Sequence, residues 1–136
     1  MKFYSSLIDS NVGFRQENEV ISTITSSKNY KNETFSNAKT LNFFETSKQR
    51  SYLIATNEMV YCVVDDKRKE APRINWSEKK EQFAKTDIKI RDKTNKTGLV
   101  DFGDNHKNWL FSKAKLQGKE DFKEQISKLL TNDFDN

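Results

Sequence analysis

Two short apolar runs on either side of Asn57 and Glu58 dominate the hydrophobic pattern of the chain. Residues 51–56 and 59–64 are nearly continuous in apolar side chains, and the second run ends at Asp65 and Asp66. Runs of this length, bounded by turn residues, predict two β-strands joined as a hairpin. Because successive side chains of a strand point to opposite faces, continuous apolar character also predicts that both faces of this hairpin are buried, or at least that the hairpin lies centrally in a sheet.

Other short segments predict more antiparallel strands around this hairpin. Before it, β-branched and aromatic residues favour strands at 19–25 and 39–46. After it, strands are predicted at 72–76, 87–91, 99–102 and 109–111, separated by polar turns. Residues 79–83 suit a strand or a helical turn, and the apolar spacing within residues 1–15 suits a short docking helix. The pattern predicts a mainly β domain built as a meander.

The end of the chain has a different period. Phe122, Ile126, Leu129 and Leu130 lie at i, i+4, i+7 and i+8, which places them on one face of a helix. A helix this short is marginal in water by itself, so it must pack on the strands. The fold class predicted is therefore α+β, mainly β, with a C-terminal amphipathic helix.

Composition limits what this chain can be. Its 136 residues suit one domain, residues 1–136, with one core. Only 34% of residues are hydrophobic, so the large side chains of Trp76 and Trp109 are expected in that core. Cys62 is the only cysteine and lies in an apolar run, which predicts a buried thiol and rules out a disulfide within the chain. No signal peptide or membrane span is recognised, so a cytoplasmic location is expected.

The strand–helix order resembles that of the bacterial pleckstrin-homology-like (PH-like) domains. Residues 17–21 resemble the usual opening of these domains, residues 52–57 and 59–61 their central hairpin, and residues 109–111 with the final helix their ending. The resemblance covers about residues 17–131. It implies a partly closed barrel with a covering helix, and a binding or assembly module rather than an enzyme. The basic pair of the phosphoinositide-binding members is not matched at residues 39–41.

Candidate catalytic and metal-binding residues are few. Asp65 and Asp66 could bind a divalent ion, but adjacent strand residues point apart, and a turn in which they accept backbone hydrogen bonds is the favoured interpretation. His106 could be a general base or metal ligand, yet no second histidine and no marked nucleophile accompany it. No catalytic residue, metal or cofactor is therefore predicted. A hydrolase using these residues is the third and weakest hypothesis.

Basic residues in the turns give the remaining candidate site. The chain carries 24 basic and 20 acidic residues, a modest excess that by itself describes a solvated mixed-charge surface. If the basic turns lie along one rim, their summed field would attract phosphates. The first hypothesis is a non-enzymatic module that engages a protein partner through a strand edge or through the rim beside the final helix. The alternative is a binder of nucleic acid or an acidic membrane surface, through Lys28, Lys31, Lys67, Arg68, Lys69, Arg91, Lys93 and Lys96.

Overall fold

A computed structural model describes residues 14–15, 17–27, 38–103 and 107–131 of the chain. Over these residues the protein is mainly β, with two antiparallel sheets and a C-terminal helix. No helix within the described ranges is both long enough and apolar enough to cross a membrane. The elements in chain order are α1 (Glu17–Thr25), β1 (Lys39–Glu45), β2 (Gln49–Ala55), β3 (Met59–Asp66), β4 (Arg73–Lys79), α2 (Lys80–Phe83), β5 (Lys89–Asp92), β6 (Thr97–Asp101), β7 (Asn108–Ser112) and α3 (Lys119–Leu130).

The predicted hairpin is the centre of the larger sheet, whose strand order is β1-β2-β3-β4. Thr56 forms the tight turn between β2 and β3, because its hydroxyl accepts hydrogen bonds from the backbone N–H groups of Glu58 and Met59. Every residue of β3 is buried. The prediction that the hairpin is covered on both faces is therefore confirmed.

The two faces of this sheet pack against different elements. Leu53, Val60 and Cys62 belong to the main core, which lies between this sheet, the three-stranded sheet and α3. The residues that alternate with them, such as Ile54 and Tyr61, form a second apolar cluster on the opposite face. We call these the inner face and the outer face. Helix α1 covers the outer face with Val20, Ile21 and Ile24.

The smaller sheet has the strand order β5-β6-β7. Its strand β7 lies beside β1, where the backbone N–H of Glu45 donates to the Ser112 hydroxyl at 3.0 Å. Aromatic rings fill the space between the sheets and α3, with Phe122 5.2 Å from Phe111 and 6.1 Å from Phe102, centroid to centroid. Among the described residues the two sheets stay separate and are not closed into a barrel.

The structure corrects two predictions about individual segments. Residues 19–25 were expected to form a strand because they are rich in β-branched side chains, yet they lie in α1. Val20, Ile21 and Ile24 also fit one face of a helix, and their burial on the outer face outweighs a weak intrinsic preference. Trp109 is only partly buried, whereas Trp76 is buried as predicted. The docking helix predicted within residues 1–15 lies almost wholly outside the described residues.

Candidate functional site

Four turns meet at one end of the molecule, where β1, β3, β5 and β7 each finish. The backbone N–H of Lys67 donates to the carbonyl of Lys48 at 2.8 Å, which joins the turns after β1 and β3. The N–H of Lys113 donates to the carbonyl of Lys96 at 2.9 Å, which joins the turns after β5 and β7. The contact between Glu45 and Ser112 connects the two pairs. We call this surface the basic end, made of residues 46–48, 67–72, 93–96 and 113–117.

Several lysines of the basic end carry charge that is not neutralised by a carboxylate. Three cations do have acidic partners: Arg68 pairs with Asp66 at 2.7 Å, Lys113 with Asp92 at 3.0 Å, and Lys115 with Glu45 at 3.6 Å. Over the part of the chain that is described, no carboxylate lies in ion-pair distance of the remaining ones. They are exposed on flexible side chains and comprise Lys48, Lys67, Lys69, Lys93 and Lys96.

The structure therefore brings together most of the basic residues predicted from the sequence. Lys67, Arg68, Lys69, Lys93 and Lys96 all belong to the basic end. Arg91 is exposed on β5 directly before it, opposite Leu99. Lys28, Lys31 and His106 lie outside the described residues, so their predicted roles remain predictions.

The tryptophans do not supply an exposed aromatic surface at this end. Trp76 stacks on Phe83, with ring centroids 5.6 Å apart, inside the main core. The indole N–H of Trp109 donates to the Ser51 hydroxyl at 2.9 Å, and the Arg73 guanidinium lies 5.4 Å from its ring centroid. Neither indole is placed to stack on a nucleic-acid base at the basic end.

A cavity of about 550 Å³ opens at the basic end. Lys67 and Lys115 line it together with the polar turn residues Thr46 and Ser47 and the side chain of Phe14. Glu45 also lines it, but its carboxylate is already engaged by Arg50 at 2.9 Å and by Asn42 at 3.1 Å. Burial would raise the pKa of Glu45, yet these hydrogen bonds and the charges of Arg50 and Lys115 lower it below its usual value. The carboxylate is thus ionised at neutral pH, and the cations of Arg50 and Lys115 offset its negative charge.

The two aspartates at the end of β3 do not converge on a common ligand. Asp65 is fully buried and pairs with the Arg15 guanidinium at 2.9 Å. Asp66 accepts hydrogen bonds from both the backbone N–H and the side chain of Arg68, which hold the pKa of its carboxyl well below the usual range. The predicted turn is confirmed for Asp66, whereas the buried ion pair of Asp65 was not foreseen. Across the described ranges, no cluster of three or more His, Cys, Asp or Glu residues could hold a metal ion.

Two buried groups near this end were missed from the sequence. Arg50 is 2% exposed, although an arginine in a strand is ordinarily expected to face solvent. It donates hydrogen bonds to Glu45 and to the Tyr52 hydroxyl. Burial would lower the pKa of Arg50, but the hydrogen bonds to Tyr52 and Glu45, together with the charge interactions with the same two residues, outweigh burial and raise the pKa. Phe14 covers Arg50 from outside, and no sequence motif marks either residue.

Comparisons of this chain with protein-family models, with curated proteins and with solved structures find no match.

Proposed function

We propose that this protein is a non-enzymatic binding module of PH-like fold whose basic end takes an anionic ligand. A four-stranded sheet, a three-stranded sheet and a final helix, in that chain order, support the fold assignment. The convergence of the basic turns is the single observation that supports the ligand class. Sequence patterns leave open whether such turns share a surface, and the described basic turns, at residues 67–72 and 93–96, lie at the same end of the molecule.

The chemistry of the basic end favours loose attraction to phosphates over specific recognition. Its available cations are lysines, which act as compact point charges, whereas planar bidentate recognition of phosphate is the property of arginine. Arg68 is already engaged by Asp66. Summed over neighbouring turns, such charges raise the local concentration of a polyanion and speed its encounter. A nucleic-acid backbone or an acidic membrane surface suits this arrangement.

Binding of a protein partner through a strand edge is less well supported. One of the edge strands, β5, has three charged side chains in four residues: Lys89, Arg91 and Asp92. Charged side chains on a short edge strand discourage the pairing of another chain. Engagement of a protein partner through another strand edge or through the rim beside α3 stays a prediction.

The test compares two triple variants of equal net charge. One reverses the basic end, with Lys48, Lys69 and Lys96 each replaced by Glu. The other reverses exposed lysines away from that end, namely Lys85, Lys89 and Lys123. Binding is measured against a short duplex DNA and against phosphatidylcholine vesicles with and without phosphatidylserine, over a series of NaCl concentrations.

We expect the basic-end variant to lose on the order of 100-fold in affinity, since each lysine contributes about 1 kcal/mol at an acidic surface. The control variant should lose much less, and wild-type binding should weaken steeply with salt. Preference for DNA or for acidic vesicles identifies the ligand source. Equal losses in the two variants, or no wild-type binding to either probe at low salt, would refute the proposal.

A further inference from the structure

The smaller sheet has one face that takes no part in either apolar cluster. Ile90, Val100 and Phe111 point from the other face toward the main core. Because side chains alternate along a strand, the residues between Ile90 and its neighbours, and those on either side of Val100, point away from that core. We call the surface that they form the open face. It comprises Lys89, Arg91, Thr97, Leu99 and Asp101.

A cavity of about 360 Å³ lies against the open face. Arg91, Leu99 and Asp101 all line it, and Arg91 lies directly opposite Leu99 in the strand register. Leu99 is half-buried and packs against neither apolar cluster of the described residues. The cavity therefore offers a cation, an apolar surface and a hydrogen-bond acceptor side by side.

Arg91 supplies the kind of phosphate contact that the basic end lacks. Its side chain is exposed, and in the part of the chain that the structure describes no carboxylate pairs with it. A planar guanidinium can hold a phosphate by two parallel hydrogen bonds. Arg91 lies about 7 Å along an extended strand from Lys93 of the basic end. Successive phosphates of one strand can then be held by Lys93 and Arg91 together.

Asp101 is an acceptor without a donor. One of its carboxylate oxygens is shielded from solvent, yet among the described residues it accepts no hydrogen bond. Lys89 lies opposite Asp101 in the register and forms no ion pair with it. The negative charge repels a phosphate but suits an amino group on the edge of a base, which is how carboxylates recognise cytosine.

We propose that the open face extends the basic end into a binding site for single-stranded nucleic acid, with one base in the cavity. The proposal rests on the proposed function, because the basic end must attract the same strand. Arg91 binds a phosphate, Leu99 packs against the base, and Asp101 accepts a hydrogen bond from it. Proteins that bind single strands commonly combine a basic track for the backbone with a surface for the bases.

The position of Asp101 favours a strand over an acidic membrane. Asp101 lies about 16 Å along β6 from Lys96 of the basic end. A flat membrane that rests on the turns does not follow the sheet face over that distance, and anionic lipids would be repelled by this carboxylate. A flexible strand can lie along both surfaces.

The first test measures the affinity of the full-length protein for labelled oligodeoxycytidine and oligodeoxythymidine, by fluorescence anisotropy over a series of NaCl concentrations. We expect wild type to prefer the cytosine strand by about fivefold, because thymine lacks the amino group. Asp101→Asn should abolish this preference. Arg91→Gln should lower the slope of log affinity against log salt by about 0.7, the value for one phosphate contact to a single strand. Leu99→Ala should weaken binding without changing the slope, and the exposed control Lys123→Gln should change neither.

The basic-end variant described above, with Lys48, Lys69 and Lys96 replaced by Glu, separates this inference from the proposed function. If that variant loses binding while Arg91→Gln and Asp101→Asn behave as wild type, the proposed function stands and the open face is not part of the site. If wild type binds acidic vesicles but neither strand, the ligand is a membrane and the inference is overturned. Absence of binding to every probe overturns both.

A second experiment needs no variant. Amide chemical shifts of the wild-type protein are followed by NMR as oligodeoxycytidine or phosphatidylserine vesicles are added. We expect the strand to shift the signals of residues 89–91 and 99–101 as well as those of the basic end. Vesicles should shift only the basic end. Shifts that stay confined to the basic end when the strand is added would overturn the proposal.

Discussion

Gly98 is the position at which the addition of one methyl group should lower the stability of the protein most clearly. It is buried in β6, directly opposite Phe111 of β7. A Cβ atom built on Gly98 would lie 2.5 Å from the Phe111 Cζ atom and 2.9 Å from the backbone carbonyl oxygen of Arg91. The carbonyl belongs to the strand ladder and cannot withdraw freely, so the ring must move.

Movement of the Phe111 ring disturbs the aromatic core. The ring packs edge-to-face on Phe122 of α3, with centroids 5.2 Å apart and planes at 86°. Forcing extra volume into a packed core costs about 1–3 kcal/mol in free energy of unfolding. At a urea m-value of about 2 kcal/mol/M, Gly98→Ala should lower the midpoint of urea unfolding by about 0.5–1.5 M.

Gly118 provides a matched control because the same substitution there meets nothing within 4 Å. Its φ of 163° is extended backbone open to any residue. Gly118→Ala should change the urea midpoint by far less than Gly98→Ala. In the double variant Gly98→Ala with Phe111→Leu, the two losses should be less than additive, since the smaller side chain relieves the clash. Equal midpoints for the two single alanine variants would refute the reasoning.

Four further predictions follow from the core and the basic end. Ile126→Asp puts a charge into the main core, so it should abolish sharp thermal unfolding and raise the binding of a hydrophobic dye. The control Lys123→Asp, at an exposed position of the same helix, should have neither effect. An unchanged melting temperature for Ile126→Asp would show that α3 does not pack on the sheets. Trp76→Ala should lower the free energy of unfolding, measured in urea, by about 3–5 kcal/mol. Trp109→Ala should lower it by less, because Trp76 is buried in the core and Trp109 is only partly buried. A larger loss for Trp109→Ala than for Trp76→Ala would contradict this difference in burial. Burial raises the pKa of the Cys62 thiol to about 12, so a thiol reagent at pH 8 should label the protein only after denaturation. Rapid labelling of the native protein would be inconsistent with the buried position. Folding lowers the pKa of Glu45, so the stability that its carboxylate contributes is present above the usual carboxyl range and is lost as the pH falls through the folded pKa. Glu45→Gln should therefore be less stable than wild type at pH 7, and the difference in free energy of unfolding should shrink below about pH 4. A difference that does not change with pH would contradict the assignment.

Elements with a strong local pattern were predictable from the sequence. The hairpin of β2 and β3 and the helix α3 follow from apolar spacing that admits one interpretation. Helix α1 was mistaken for a strand because the residues Val20, Ile21 and Ile24 favour a strand by type and a helix by spacing. Only the presence of an apolar outer face decides between the two, and that face comes from strands far along the chain.

The candidate site was partly predictable for a similar reason. The sequence shows that the turns are basic, but their meeting at one end depends on the placement of β7 beside β1. The ion pair of Arg15 with Asp65 joins residues 50 positions apart, and nothing local marks either partner. Such contacts are properties of the topology, which short-range patterns do not encode.

The burial of β2 and β3 on both faces has a consequence for how this hairpin finds its alignment. In a sheet with one solvent-exposed face, a shift of one residue between paired strands turns the apolar side chains toward solvent and is strongly disfavoured. Here a slip would exchange Leu53 for Ile54 between two faces that are both apolar, so hydrophobicity alone discriminates weakly. The polar row in which Arg50 lies opposite Asp65 must supply the difference. Only the correct alignment presents that carboxylate to Arg15, so the ion pair of Arg15 with Asp65 adds to the stability of the native alignment relative to the slipped one.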